Sequence, residues 1–166
     1  MKRIAPLLLA APLALGACGD SKIDSGKLER EIKQKYDERQ EDASVHSVDC
    51  PDDIKAKAGT KSECTARLDQ GVEIVFAIDV RDDEGNVRWR SVRGTAPGAL
   101  VERAAADRLN AVTGQRPAAV ECPARITLEA GTTVRCTVRA SDGSTIGSTL
   151  TIKSPDGSFE IEVDDP

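Results

Sequence analysis

Apolar residues along this chain recur with two different spacings. In two stretches they return at about four-residue intervals between charged residues, which predicts two amphipathic helices. The first stretch contains Leu28, Ile32 and Tyr36, and the second contains Leu100, Ala104, Ala105, Leu109 and Val112. Elsewhere the spacing is two, which predicts a half-buried antiparallel strand. The residues with this spacing are Val72, Ile74, Phe76, Ile78 and Val80.

Further strands are expected on both sides of this one. The turn at 82–86 leads into a strand at 87–90, and segments around 48–50 and 64–68 supply two more. The second half offers counterparts to these elements, among them Ile146, Leu150 and Ile152, a turn at 154–158 and a strand at 159–163. Gly85 and Gly157 in the two turns can take a positive φ. The simplest closed arrangement is a four-stranded antiparallel sheet with a helix on one face.

The second half repeats the first with a period of 72 residues. Of the twenty positions 48–67, ten are identical in 120–139, including both cysteines and the proline after the first. We therefore expect an α+β fold of two tandem domains, at 27–93 and 99–166, each with one internal disulfide. A linker is expected at 94–98, where Gly and Pro interrupt regular structure.

The N-terminus has the layout of a secretory signal peptide, with a basic start and an apolar stretch from Ile4 to Leu15. As a helix this stretch would reach roughly 18 Å, short of the ~30 Å hydrocarbon core. The junction Leu15-Gly16-Ala17-Cys18 resembles the bacterial lipobox. This implies that residues 1–17 are removed, that Cys18 is acylated and inserts its chains into a membrane, and that residues 18–26 form a tether. An ordinary signal followed by a chance cysteine is the alternative.

The other four cysteines form two pairs with the same spacing. In an exported protein, an even number of cysteines at repeated spacing predicts disulfides. Four cysteines allow three pairings, and the repeat favours Cys50 with Cys64 and Cys122 with Cys136, because each half then closes on itself. A zinc site is disfavoured, because the sequence has no CxxC motif and His46 is its only histidine.

Composition restricts the chemistry further. Four aromatic residues and one histidine leave little material for base stacking or imidazole catalysis. Loss of residues 1–17 would remove Lys2 and Arg3 and leave 21 basic against 28 acidic residues, a net charge of -7, which disfavours nucleic acid as a partner. No phosphate loop, HExxH motif or nucleophile beside His46 is present. We therefore expect no enzymatic activity, no metal and no cofactor.

Three charged clusters have a functional and a structural interpretation. Asp82-Asp83-Glu84 lacks the calcium-loop pattern and is predicted to be a solvated hairpin tip. In Arg88-Trp89-Arg90, strand alternation directs Trp89 into the core and both arginines outward, rather than forming a clamp for nucleic acid or sugar. Glu160 and Glu162 occupy the positions of the two arginines in the second half. One hypothesis is that these oppositely charged faces attract each other, within or between molecules.

The order Val-x-Cys-Pro, then Gly-Thr, then Cys-Thr resembles the bacterial domain of unknown function 4333 family, which occurs in secreted proteins and lipoproteins. The resemblance covers nearly all of 27–163 in two copies. It is carried by Cys50-Pro51, Gly59 and Cys64 and by their counterparts Cys122-Pro123, Gly131 and Cys136. The resemblance brings no activity and no functional residues.

These features lead us to expect a lipid-anchored, non-catalytic binding or scaffolding module of the bacterial cell envelope. Its expected partner, besides the membrane, is an envelope protein or glycan. The alternative, which depends on fold analogy alone, is an extracytoplasmic inhibitor or sensor resembling cystatin-like or propeptide-like domains.

Overall fold

The computed structural model describes residues 21–40 and 44–164, so Cys18 and residues 1–17 lie outside the described part of the chain. The described residues form two helices, α1 (Ser25–Asp37) and α2 (Gly98–Thr113). They also form nine strands, which are β1 (Val45–Asp49), β2 (Lys61–Leu68), β3 (Glu73–Val80), β4 (Val87–Pro97), β5 (Ala119–Glu121), β6 (Arg125–Leu128), β7 (Thr133–Arg139), β8 (Thr145–Ile152) and β9 (Phe159–Val163). A short 3-10 turn, Asp69–Gly71, connects β2 to β3.

All strand pairs are antiparallel, and they form two sheets. The first sheet has the order β1-β2-β3-β4-β6, and the second has the order β5-β7-β8-β9. One helix belongs to each half, and one disulfide closes each half. The predicted α+β class with a helix and an antiparallel sheet in each half is therefore confirmed. The glycines of the two predicted hairpin turns, Gly85 and Gly157, have φ values of 84° and 93°.

The two predicted disulfides are both present, Cys50 to Cys64 and Cys122 to Cys136. Each bridge joins the residue after the first strand of its half to the neighbouring strand, β2 or β7. In both halves a helix glutamate also holds this point. Glu29 Oε1 accepts a hydrogen bond from the Cys50 N–H at 2.9 Å, and Glu102 Oε1 accepts one from the Cys122 N–H at 3.0 Å. The disulfide and the helix therefore fasten the same strand end.

The first sheet has a fifth strand, β6, that comes from the second half. β6 pairs with the last residues of β4, from Gly94 opposite Leu128 to Pro97 opposite Arg125. The residues predicted as a linker are thus the end of β4 and the first residue of α2, and not an irregular connection. Gly and Pro are tolerated here because the strand passes directly into a helix at Gly98. The two halves are joined by a continuous strand and by its pairing with β6.

A pairing equivalent to that of β4 with β6 occurs at the start of the first half. The segment before α1 pairs with residues after Cys50-Pro51, since the Ile23 N–H donates to the Ile54 carbonyl and the Ala56 N–H donates to the Ser21 carbonyl, both at 2.8 Å. Asp24 then caps α1 by accepting from the Lys27 N–H at 2.8 Å. Residues 21–26 of the predicted tether are therefore docked on the first half or lie within α1.

Each half has its own hydrophobic core beneath its helix. In α1 the buried residues are the predicted Leu28, Ile32 and Tyr36. In α2 the buried side chains are Val101, Ala105 and Leu109, whereas Leu100 is only half-buried and Ala104 and Val112 are exposed. The predicted face of α2 was therefore partly wrong. Each buried residue of α2 lies 73 positions after its counterpart in α1 (28 to 101, 32 to 105, 36 to 109), because the helices repeat with one residue more than the strands.

A β-bulge in β4 separates its first part, which packs against the first core, from its last part, which pairs with β6. The register of β3 against β4 shifts between the pair Phe76–Ser91 and the pair Val75–Arg93, which leaves Val92 as an extra residue. An extra residue reverses which side chains point to each face. Arg93 consequently lies on the face away from α1, where it donates two hydrogen bonds to Glu63 at 2.8 and 2.6 Å. The hydrogen bonds from Arg93 hold the pKa of Glu63 below its usual value.

Candidate functional site

Three of the four aromatic side chains of the chain lie together at one cavity. Tyr36 and Trp89 each meet Phe76 edge to face, with ring centroids 5.8 and 5.4 Å apart. They line a cavity of about 310 Å³ that we call the aromatic cavity, bounded by Tyr36, Arg39, Gln40, Phe76, Trp89, Arg90, Ser91 and Asp156. Its volume is at the lower end of the range of about 300–1,000 Å³ that is usual for ligand pockets.

The aromatic cavity is built from both halves. The end of α1 supplies Tyr36, and the residues just beyond it supply Arg39 and Gln40, while β3 and β4 supply the other two rings. Asp156 comes from the turn between β8 and β9 of the second half. In the same turn, the Pro155 carbonyl lies beside Gly94 of β4, where an added Cβ would be 3.5 Å away. The junction of the two halves thus closes one side of the cavity.

Tyr36 is the most deeply buried polar group at this cavity. Tyr36 is 8 % exposed, and no side-chain nitrogen or oxygen buried within the described segments lacks a hydrogen-bond partner. Burial, together with the nearby carboxylates of Asp156 and Asp37, raises the pKa of Tyr36 to about 12. The phenol is therefore neutral at all physiological pH values and can donate a hydrogen bond to a molecule in the cavity.

Two arginines stand at the edge of the cavity. The Arg39 guanidinium lies over the Trp89 ring, 5.8 Å from its centroid, in a cation–π contact. Arg90 is exposed on β4 next to Trp89. Neither Arg39 nor Arg90 forms an ion pair with a described residue, in contrast to Arg93, which is engaged by Glu63. The Arg39 guanidinium can therefore donate to an anionic group that enters the cavity, whereas the Arg90 side chain is on the opposite face of β4 from Trp89.

Asp156 brings a carboxylate to the same cavity. Its burial disfavours ionisation, but hydrogen bonds from the Ser154 hydroxyl and from the Ser158 N–H and side chain outweigh this effect and hold the pKa of Asp156 below its usual value. The Ser158 N–H donates to Asp156 Oδ1 at 3.0 Å. Asp156 is consequently an anion that accepts hydrogen bonds.

A second cavity, of about 340 Å³, shares Asp156 with the first. We call it the junctional groove. It is lined by Leu68, Asp69, Gln70, Val72, Ala96, Leu100, Val101, Ala104, Leu128, Asp156, Gly157 and Phe159. Its lining is mostly apolar and includes the fourth aromatic residue of the chain, Phe159. Every aromatic side chain therefore lines one of two cavities at the junction.

A residue with unusual backbone geometry borders the junctional groove. Gln70 has φ 61° and ψ 16°, the left-handed conformation that side-chain-bearing residues rarely adopt. Such a residue costs roughly 1–2 kcal/mol relative to an ordinary conformation. Its Oε1 accepts a hydrogen bond from Arg103 of α2 at 3.2 Å. The strained turn thus contacts the second half at the edge of the groove.

The corresponding place in the second half has different chemistry. Tyr36, Phe76 and Trp89 correspond to Leu109, Ser148 and Ile161. The Ser148 side chain is fully buried and its hydroxyl donates to the Cys136 carbonyl at 3.3 Å. A small cavity of about 230 Å³ occupies this place in the second half, next to the exposed Val112 and Val163. Only the first half therefore combines rings with arginines at this position.

Comparison with known proteins agrees with the repeated fold. The family model described as a domain of unknown function, DUF4333, matches residues 7–85 and again residues 92–157. The chain belongs to this family. No curated protein and no solved structure matches it. Across residues 21–40 and 44–164, no helix has the length and apolar character needed to cross a membrane.

The structure also locates the charged residues that the sequence singled out in the two DUF4333 repeats. Asp82 caps its turn by accepting from the Asn86 N–H and side-chain amide at 2.9 and 2.8 Å, and these bonds lower the pKa of Asp82. Asp83 accepts from the Ala58 N–H at 2.9 Å. No group of three or more potential metal ligands occurs among the described residues. His46 is exposed on β1.

The interpretation of Trp89 as a core residue is confirmed in part. Trp89 packs against the first core with Val87, and Arg88 and Arg90 are exposed, as strand alternation predicts. However, Trp89 is only half-buried and borders a cavity, which the alternation does not indicate. Glu160 pairs with Lys153 at 2.6 Å within its own half. The predicted attraction between the faces bearing Arg88 and Glu160 stays a prediction.

Sequence reasoning missed the site because it treated the halves as separate domains. Residues of the cavity lie on both sides of the supposed linker, from Tyr36 to Asp156. One signal was available in the sequence: three of the four aromatic residues fall in the first repeat, at positions where the second has Leu109, Ser148 and Ile161. The two repeats otherwise match closely, so this difference in sequence marked the place where only the first copy has aromatic side chains.

Proposed function

We propose that this protein is a lipid-anchored, non-catalytic binding module of the bacterial cell envelope, with its ligand surface at the junction of the two repeats. The observation that carries the proposal is the collection of all four aromatic side chains around two adjoining cavities at that junction. Aromatic rings supply large, rigid contact area for a ligand at little entropic cost.

The cellular location is supported by the two disulfides, which are typical of proteins that fold outside the reducing cytoplasm. Acylation at Cys18 is supported by the lipobox-like sequence that precedes it. The docking of the segment before α1 then sets the distance from the membrane. Ser21 is already hydrogen-bonded to Ala56, and a chain from Cys18 to Ser21 spans at most about 11 Å. The first repeat would sit directly at the bilayer surface.

A non-catalytic role is supported by the state of the carboxylates. General acid–base catalysis needs a group whose pKa lies near the working pH. The hydrogen bonds from turn residues lower the pKa values of Asp82 and Asp142 below the ordinary value, and the serine hydrogen bonds do the same for Asp156 despite its burial. These groups stabilise their own turns.

Acylation is tested by the intact mass of protein from its own envelope. The expected mass is that of residues 18–166 with an added diacylglyceryl group and two disulfides. In a Cys18→Ala variant the protein should leave the membrane fraction. An unmodified Cys18 in membrane-free protein would refute the anchor.

Binding is tested by sedimentation with purified, protein-free envelope glycan. The full-length protein should sediment with the glycan, and a Trp89→Ala variant should remain in the supernatant. Arg81→Ala, an exposed change outside both cavities, is the matched control and should behave as the unaltered protein does. Equal sedimentation of the two variants would refute the assignment of the binding surface to the junction.

A further inference from the structure

The aromatic cavity combines apolar ring surface with hydrogen-bonding groups of three kinds. Tyr36 offers a neutral donor, Arg39 offers a charged donor, and Asp156 offers an anionic acceptor. A ligand that satisfies all of them needs a flat apolar face, hydroxyl groups and an anionic group. A pyranose ring has an apolar face of C–H groups and carries hydroxyls that donate and accept, and an acidic sugar adds the carboxylate.

From these contacts we propose that the aromatic cavity binds an acidic pyranose, with its carboxylate on Arg39 and a hydroxyl accepting from Tyr36. This inference rests on the proposed binding function and names its ligand class. Arg39 is held over Trp89, so its guanidinium is already ordered before a ligand arrives. The neutral Tyr36 hydroxyl can donate a hydrogen bond to a ligand oxygen in the cavity.

Asp156 explains why the second repeat is required for this site. Its carboxylate is fixed by Ser154 and Ser158 and can accept from a sugar hydroxyl. Because it comes from the turn between β8 and β9, the cavity is complete only when the two repeats are packed together. The cavity at the equivalent place in the second repeat includes Arg108, Thr113 and Glu160 but has no aromatic ring. One acidic sugar is therefore expected per chain.

The single tryptophan of the chain makes this site directly observable, because Trp89 is the only source of indole fluorescence. We would titrate the mature protein with methyl glucuronide, whose ring is locked as a pyranose, and compare it with methyl glucoside and with acetate. The glucuronide should give a saturable change in Trp89 emission. Loss of a charge-assisted hydrogen bond typically weakens binding about tenfold or more, so both comparison compounds should bind at least that much more weakly.

Variants identify the residues responsible. Arg39→Gln and Tyr36→Phe should each weaken glucuronide binding about tenfold. Arg88→Gln, on the same strand as Trp89 but outside the cavity, is the matched control and should bind as the unaltered protein does. The sugar proposal is overturned if the glucuronide gives no saturable change, if glucoside or acetate binds as tightly, or if Arg88→Gln weakens binding as much as Arg39→Gln.

The comparison of the three compounds on unaltered protein tests the binding of an acidic pyranose even if a variant fails to fold. The result is also separate from the anchor and from the wider binding function. Unacylated protein can still bind the glucuronide, and protein that sediments with glycan through the junctional groove alone would leave Trp89 emission unchanged.

Discussion

The junction at which β4 passes into α2 is most directly tested at Gly98, the first residue of α2. The Gly98 N–H donates to the Ala124 carbonyl at 2.8 Å, which links the start of α2 to β6. A Cβ added at Gly98 would overlap the Pro123 carbonyl oxygen and come within 3.1 Å of its carbonyl carbon. These atoms belong to backbone and cannot rotate away as a side chain can. Gly98→Ala must therefore move α2 away from the loop that precedes β6.

The magnitude follows from three effects. Overpacking of this kind costs about 1–3 kcal/mol. Weakening the hydrogen bond from Gly98 to Ala124 costs about 1 kcal/mol, and the better helix propensity of alanine offsets at most about 1 kcal/mol. We expect Gly98→Ala to lower the free energy of unfolding by about 2 kcal/mol.

Equilibrium unfolding in urea, followed by circular dichroism, measures this change. Gly26→Ala is the matched control, since Gly26 is the second residue of α1 and its nearest neighbour to an added Cβ is the flexible Arg30 side chain at 3.4 Å. Gly26→Ala should be neutral or stabilise by up to about 0.5 kcal/mol. If the two variants changed stability equally, the close approach of α2 to Pro123 would be refuted.

Three further predictions concern single interactions. Replacing Cys50 and Cys64 together with alanine should cost about 3 kcal/mol, the value expected for opening a loop of this length; an unchanged denaturation midpoint would contradict it. The folded-state pKa of Tyr36 is raised from 10.0 to about 12. The contribution of its neutral phenol to the free energy of unfolding is therefore fully present below pH 10 and is lost as pH rises through 12. Discounted for partial solvent access, this loss is about 1 kcal/mol; Tyr36→Phe should abolish it, and phenolate absorbance of the single tyrosine should titrate near pH 12. Glu102→Ala should cost about 1–2 kcal/mol through the Cys122 N–H, measured against the exposed Glu162→Ala, which should change stability by less than about 0.5 kcal/mol; equal effects would contradict the role of Glu102.

The sequence predicted those parts of the fold that depend on local pattern and on the repeat. Alternation located β3, the glycines located the hairpin turns, and the repeated spacing identified both disulfides. The face of α2 was partly wrong because the apolar residues of this helix are not confined to one face, so their spacing also included the half-buried Leu100 and the exposed Ala104 and Val112. Inside a helix, a shift of one residue turns the expected face by about 100°, so that Val101 replaces Leu100 in the core.

Pairing between the repeats could not be predicted in the same way. The short strand β6 has only two buried residues, Ile126 and Leu128, which is too brief a pattern to separate from a loop. Its partner is the end of β4, where Gly94 and Pro97 are typical of irregular structure. The choice between a loop and a strand there depends on a backbone partner about 30 residues away along the chain, and no local propensity encodes that partner.

The candidate site was still harder to predict from the sequence, because the set of residues that line it depends on how the two repeats pack together. Alternation correctly directed Trp89 toward the core, but burial of a strand residue does not reveal a cavity beside it. The participation of Asp156 depends on how the turn between β8 and β9 meets the first repeat. Until the two halves are placed together, Asp156 is an ordinary charged surface residue.

The unbroken course of β4 into α2 gives the repeat array a polarity. Each repeat receives a pairing segment from the residues just before its helix, which are 21–24 in the first copy and 94–97 in the second. The true modular unit therefore starts ahead of its helix, at a strand. Tandem duplication of such a unit extends the molecule in one direction only, because each new copy pairs with the last strand of the copy before it.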